Sequence, residues 1–282
     1  MIWAVVVTKN RPLDLECCLS ALAAQTRPPG RILVVDNAES GETPARATAP
    51  VEVLSTGRNS GSAGGQNLGW ERAFGSGASA VWAMDDDCIP SPTALERLMD
   101  RLPAHPASVL NCLACDPHTG TMGPLVRTAP GIPKRPTGAD VILQRENLPP
   151  SDIRDGIFWN WGHFFLGTLV PRAVFEKVGP VDARYFIRGE DYEYLLRCLR
   201  TSAVGIVMDS IMHHPMSHDR TNFGPKNLLE IRNHVAIDRK FFPGIRTSLP
   251  VMLAACLRDI RRHPSFARGI LRAYWQGVEG GW

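Results

Sequence analysis

The chain has 282 residues, 44% of them hydrophobic and 21% charged, the balance of an ordinary globular protein whose core is large enough to hold itself without disulfides. A net charge of only +3 argues against a protein whose main task is gripping nucleic acid. The seven cysteines (Cys17, Cys18, Cys88, Cys112, Cys115, Cys198 and Cys256) are odd in number. They contain one C-x-x-C pair where a four-thiolate zinc site needs two, so free thiols in a reducing compartment are expected.

The opening run Met1-Ile-Trp-Ala-Val-Val-Val has no basic segment before it and meets Lys9 and Arg11 at once. It is expected to be a buried strand over Ile2 to Val7, not a signal peptide. Pro12 suits the first turn of a helix, and Leu15, Cys18, Leu19 and Leu22 follow at helical spacing. Strands are expected at Arg31 to Asp36, Val51 to Leu54 and Ala80 to Met84. Helices are expected at Asn67 to Phe74 and after Ser91-Pro92, where Leu95, Leu98, Met99 and Leu102 share one face. Residues 103–150 are rich in proline and glycine and predict short strands and loops, with a flap over Pro130 to Asn147. Phe164 to Val170 predicts a strand, and Pro171 opens a helix that Gly179-Pro180 stops. Glu190 to Leu199 predicts another helix, with Tyr192, Leu195, Leu196 and Leu199 on one side. The chain from about Leu228 is helical and basic. The longest late apolar run, Leu249 to Leu257, is too short to span a bilayer, and a cytoplasmic protein is expected.

The β-α-β alternation of the first hundred residues predicts an α/β fold with a mostly parallel sheet and helices on both faces. Such sheets bind ligands beyond the carboxyl ends of their strands. Thr8 with Arg11, Asp36, and the run Asp85-Asp86-Asp87 all stand at such ends and are expected to converge there. Three adjacent carboxylates repel one another and call for a positive partner. In an extended conformation Asp85 and Asp87 would share a face and suit a hard cation such as Mg²⁺ or Mn²⁺; a solvated acidic turn accounts for the run equally well. The glycine-rich stretch Asn59 to Gly69 permits close backbone approach to a phosphate or sugar, or simply makes a flexible loop with helix-packing glycines. Asp36 suits a base or ribose contact, and equally a turn. Glu190 and Asp191 open a helix, where the dipole favours acids; Asp191 is also placed as a candidate general base. His213 and His214 are candidate metal ligands, and a helix there would put His214 and His218 on one face. Trp159 and Trp161 offer either sugar-stacking faces or core aromatics.

Together these segments resemble the family 2 glycosyltransferases, which have the GT-A fold. The opening strand and Thr8-Lys-Asn-Arg11, then Leu33-Val-Val-Asp36-Asn, are similar to the family's donor-binding strands. Asn59-Ser-Gly-Ser-Ala-Gly-Gly-Gln-Asn67 resembles its Gly-Gly-x-Asn loop, and Asp85-Asp-Asp87 falls where its D-x-D motif lies. Tyr185 to Arg197, with Asp191-Tyr-Glu193-Tyr, is closest to the bacterial galactofuranosyl- and rhamnosyltransferase branch. Met208 to His214 is similar to that branch's metal-histidine segment, and Ile231-Arg232-Asn233-His234 to an Arg-Asn segment. Gly189 and Glu190 depart from the aromatic and acid that usually precede the base.

The resemblance implies inverting transfer of a sugar from a nucleoside diphosphate donor, UDP- or dTDP-linked, to a hydroxyl acceptor that is a glycan, a lipid-linked saccharide or a small molecule. It implies Mn²⁺ or Mg²⁺ at Asp85, Asp87 and His214, and Asp191 as catalytic base. Donor contacts fall to Thr8, Arg11, Asp36, Asn59, Gly65, Asn67, Asp85 and Asp86, and acceptor contacts to Trp161 and Glu190. A donor-binding half is expected over 1–102, a smaller mixed acceptor-side half over 103–227 and a helical extension over 228–282. The alternatives are a nucleotidyltransferase acting on a sugar phosphate and a non-catalytic nucleotide- or carbohydrate-binding module. The segment Arg258 to Arg272 sets five arginines beside Ile260, Phe266, Ile270 and Leu271, a pattern suited either to an anionic membrane surface or to a solvated helix packed on the main domain.

Overall fold

Four parallel strands, β1 (Ile2–Thr8), β2 (Arg31–Asp36), β3 (Val51–Ser55) and β4 (Ala80–Asp85), lie side by side in the order β3-β2-β1-β4. The computed structural model describes residues 1–39, 51–120, 122, 126–129, 132–133, 148, 150–215, 223–244 and 249–280; most of the expected flap, and His218, lie outside them. β1 is buried along its length, as its unbroken apolar run requires of a central strand. Its side chains alternate between two cores. Trp3, Val5 and Val7 join one, while Ile2, Ala4 and Val6 join the other.

Helix α1 (Pro12–Ala23) follows β1 and buries Leu15, Cys18, Leu19 and Leu22, the four positions that share one helical face. Helix α2 (Gly61–Gly75) precedes β4 and corrects an expectation. Most of the glycine-rich stretch is not a loop before a helix; from Gly61 onward it is the helix. Gly65 backs onto Val7, where a Cβ would lie 2.7 Å from Val7 Cγ1, and a Cβ at Gly69 would collide with Val5. Glycine lets α2 lie directly on the sheet. Each helical glycine costs roughly 0.5–1 kcal/mol, and the complete burial of Trp70 and near-complete burial of Phe74, each on the order of 2 kcal/mol, offset that cost.

The chain continues through β5 (Ile89–Pro90), α3 (Ala94–Arg101), β6 (Val109–Cys115), β7 (Val126–Ala129), β8 (Ile132–Pro133), β9 (Ile153–Arg154), β10 (Ile157–Trp159) and β11 (Trp161–Gly162). Then come β12 (Leu166–Pro171), α4 (Arg172–Val178), α5 (Glu190–Cys198), β13 (Val204–His213), α6 (Pro225–Phe241), α7 (Leu249–Arg262) and α8 (Ala267–Glu279). β12 inserts antiparallel between β4 and β6, and β13 runs parallel to β6. The central sheet reads β3-β2-β1-β4-β12-β6-β13-β10-β9, with β5 on the end of β13. Only β5, β10 and β12 oppose the other strands, so the sheet is mostly parallel. β11, β7 and β8 form a small separate sheet.

β12 starts at Leu166, two residues later than its apolar run suggests, because Phe165 takes φ 62°, which an extended strand does not accommodate. Gly179, at φ 81°, ends α4 as expected. Cys17, Cys18, Cys88, Cys112, Cys198 and Cys256 are free thiols. No helix among the described residues is long and apolar enough to cross a membrane.

Candidate functional site

Thr8 and Asp36 are register partners across β1 and β2, and Asp85 pairs with Val7 on the other side of β1. The three polar strand ends therefore meet at one edge of the parallel sheet, as expected. Asp36 Oδ1 accepts the Ala38 amide at 2.8 Å, while Oδ2 is buried with no protein partner. The turn and the capacity to receive a further donor coexist in one side chain. Asn37 donates to the Gly61 carbonyl at 2.9 Å and ties this edge to the start of α2.

The acidic run departs from simple alternation. β4 ends at Asp85, and the Cys88 amide donates back to the Asp85 carbonyl at 3.3 Å, so Asp86 and Asp87 lie in a turn. The positive partner is Arg11, which reaches Asp86 at 2.5 Å and Asp87 at 2.7 Å. Thr8 donates to the far oxygen of Asp86 at 2.7 Å. Thr8 and Arg11, which the sequence offered as donor contacts, thus also hold the carboxylates in place. Asp86 is fully buried and Arg11 half exposed, so Arg11 brings the run its positive charge from the solvent side.

Burial, with Asp87 and Asp86 alongside, pushes the Asp85 carboxyl well above its usual range. Burial also raises Asp86, to about 6, against the Thr8 hydrogen bond and Arg11. Asp87 is different. Burial opposes its ionisation, but His214 and Arg11 hold it at about 2.

His214 arrives through strand pairing. β5 begins two residues after Asp87 and pairs with the end of β13, His213 opposite Ile89. The next residue, His214, then places Nε2 3.3 Å from Asp87 Oδ1. Of the two histidines, His214 is the one that meets the acidic run. β13 is extended through His213, and His218, which a helix would have set on one face with His214, lies outside the described residues.

Asp191 sits in the first turn of α5, behind Gly189 at φ 102°. Its Oδ1 accepts its neighbour Tyr192's amide at 2.7 Å, and burial raises its carboxyl. It is close enough to raise the pKa of Asp85. Glu190 is buried, and its carboxyl is pushed well up by that burial and by Asp191 and Asp85. The loop before α5 is held from α6. Asn233, fully buried, donates through Nδ2 to the carbonyls of Tyr185, Ile187 and Arg188 at 2.8, 3.0 and 2.7 Å. The Phe186 carbonyl in the same loop accepts the Ala63 amide at 3.0 Å, which joins α2 to the turn that carries Asp191. The sequence marks Asn233 only by resemblance; a lone polar residue in a helix carries no local signal of this role.

Of the two readings of the tryptophans, the packing supports the core one. Trp161 is 5% exposed, stacks on Phe158 at 5.1 Å and donates to Asp152 at 3.2 Å. Trp159 is buried against His105. Both are core aromatics without an open face for a sugar. Gly65 is accounted for by packing, and Asn59 by its Oδ1, which accepts the Gly61 amide at 3.1 Å. Asn67 Oδ1 is buried with no protein partner.

The family model for glycosyl transferase family 2 matches residues 3–179. The chain is 32% identical to galactofuranosyltransferase GlfT1 of Mycobacterium tuberculosis, over 77% of this chain and 71% of that protein. It is 29% identical to GlfT1 of Mycolicibacterium smegmatis, over 89% and 86%. To the N-acetylglucosaminyl-diphospho-decaprenol L-rhamnosyltransferase of M. tuberculosis it is 27% identical, over 74% and 75%. Among solved structures, S. aureus TarS matches at TM-score 0.53 and 14% identity, over 99% of this chain and 55% of that one. GalNAc-T7, solved with UDP, GalNAc and Mn²⁺, matches at 0.62 and 14%, over 85% and 48%. The chain spans about half the length of those two structures, and the likeness shows a shared GT-A fold. A sheet edge lined by Thr8, Asp36 and Asp85, the acidic run and a model match over most of the chain agree: this chain belongs to glycosyl transferase family 2, beside the galactofuranosyl- and rhamnosyltransferases.

Proposed function

We propose that the protein transfers a sugar, with inversion and in a metal-dependent way, from a UDP- or dTDP-linked donor to a hydroxyl of a saccharide acceptor. The observation that carries this reading is the approach of Asp191, on α5, to the acidic run at the end of β4, close enough for its charge to raise the Asp85 carboxyl. One group faces the leaving group and the other the incoming hydroxyl.

The residues present fit a hard dication. Asp85, Asp86, Asp87, Glu190 and Asp191 outnumber the nearby Arg11, and burial with mutual repulsion raises Asp85 far above its usual range. No three His, Cys, Asp or Glu side chains among the described residues close into a ligand set by themselves. That suits Mg²⁺ or Mn²⁺ bound through one or two carboxylates and completed by substrate phosphates and water. Asp87 and His214, with Asp85 beside them, would hold it, and when bound it supplies charge neutralisation for the departing diphosphate.

The chain's own residues do the rest. Asp36 Oδ2 and Asn67 Oδ1, both buried without protein partners, receive hydrogen bonds from the donor nucleotide. Asp191 takes the proton from the acceptor hydroxyl as that oxygen attacks the anomeric carbon from the face opposite the diphosphate. Asn233 and Gly189 fix where that carboxylate points. The names of relatives suggest galactofuranose and rhamnose as the first donor sugars to test.

The deciding experiment incubates the protein with each UDP- or dTDP-sugar, Mn²⁺ and a saccharide acceptor, and reads nucleoside diphosphate release and product anomeric configuration by NMR. Release of a nucleoside diphosphate with an inverted glycoside is expected; a retained configuration, or pyrophosphate as product, overturns the reading.

A further inference from the structure

Ten large hydrophobic side chains are exposed among the described residues, and six of them, Leu249, Val251, Leu253, Leu257, Leu271 and Trp275, lie in α7 and α8. Leu249, Leu253 and Leu257 recur every four residues and so form one row down α7; Leu271 and Trp275 repeat that spacing on α8. Each of these five is 52% to 69% exposed. The Tyr274 hydroxyl donates to Asp259 at 2.9 Å and holds the two helices together. The inner side of α8 is committed elsewhere: Gly269 meets Leu228, and Gly277 meets Val235 and the Arg232 carbonyl, all on α6. The apolar rows are left on the outside. Exposed apolar area gathered in this way marks an interaction surface.

Arg261 on α7 and Arg268 and Arg272 on α8 flank those rows, and the charge of this region selects the partner. Residues 249–280 carry five arginines, Arg258, Arg261, Arg262, Arg268 and Arg272, against Asp259 and Glu279. That net of +3 equals the net charge of the whole chain. All five arginines are exposed. A second copy of the chain would bring like charges together across a buried face. An anionic bilayer meets both features at once: leucines and an interfacial tryptophan below the headgroups, and guanidinium groups at the phosphates.

We propose that the outer face of α7 and α8 docks on an anionic lipid surface, lying on the bilayer without spanning it. α8 packs on α6, whose Asn233 holds the loop of Asp191, so the docked face lies one helix from the acceptor side of the site. A lipid-linked acceptor would be presented there; that consequence rests on the transferase reading, whereas the docking does not.

The test is co-sedimentation of the full chain with phosphatidylcholine vesicles and with vesicles that also contain phosphatidylglycerol. Binding to the anionic vesicles alone, weakened by salt, is expected. Each of Arg261→Gln, Arg268→Gln and Arg272→Gln should weaken it by about fivefold. Leu253→Ser combined with Trp275→Ser should remove it while the melting temperature and donor binding hold. If that pair fails to fold, the arginine variants carry the test. No binding to anionic vesicles overturns the proposal, as does equal binding to both kinds. So does a concentration-dependent dimer in light scattering that the same substitutions dissolve. The measurement needs no turnover, so its failure is distinct from a failure of sugar transfer.

Discussion

His214 Nε2 stands 3.3 Å from Asp87 Oδ1, brought there by the two-residue pairing of β5 with the end of β13. That contact makes the acidic run and the histidine one site. A side chain that helps hold a metal tunes its affinity by about 10–100-fold. We expect His214→Ala to raise the Mn²⁺ concentration for half-maximal activity by at least about tenfold, with chelator abolishing transfer by the native protein. Metal titration of the initial rate checks both; transfer that persists in excess chelator removes the metal role.

Asp191→Asn should lower kcat by about 10²–10⁴-fold and leave donor affinity, read by calorimetry, near the native value. Burial raises the Asp191 carboxyl above its ordinary value. A base must be ionised to act, so kcat/KM should fall as pH drops through a value above the ordinary aspartate range. A rate profile whose acid limb stays at the ordinary value would disconnect this carboxylate from the proton transfer.

Asn233→Ala removes the donor to three carbonyls of the loop before α5. Leaving buried acceptors unpaired costs about 1–3 kcal/mol, to be seen as a lower denaturation midpoint. The loop carries Asp191, so kcat should drop while the donor dissociation constant holds. A stability loss with unchanged kcat would reduce Asn233 to a packing residue.

Gly65→Ala asks whether that glycine serves the ligand or the sheet. The added Cβ would sit 2.7 Å from Val7 Cγ1, and overpacking of this kind costs about 1–3 kcal/mol. Thermal unfolding should register that loss, with donor affinity of the folded fraction preserved. Normal stability with lost affinity would return Gly65 to the donor pocket.

Much of the fold is legible along the chain. Ile2 to Val7 could only be a strand buried on both faces, and Leu15, Cys18, Leu19 and Leu22 could only share one side of a helix, because periodicity is set by neighbouring residues. Register between parallel strands then carries Thr8, Asp36 and Asp85 to one edge. The errors have local causes of a different kind. Glycines from Gly61 to Gly69 suggested a loop because their use, close packing on Val5 and Val7, depends on a sheet formed elsewhere. Trp161 suggested a sugar platform because its partners Phe158 and Asp152 are known only once β10 and the residues around β9 are in place.

The sequence by itself determined the strand and helix alternation, the family and the carboxyl-edge placement of the acidic run, since all of these follow from side-chain pattern and order along the chain. Tertiary structure alone decided that Arg11 and Thr8 bind the carboxylates of the run, that His214 and not His213 meets Asp87, and that Asn233 steadies the turn before Asp191. Those contacts join residues far apart in the chain. Their strength comes from burial and short-range hydrogen bonding, which exist only after the sheet and α6 have closed around them.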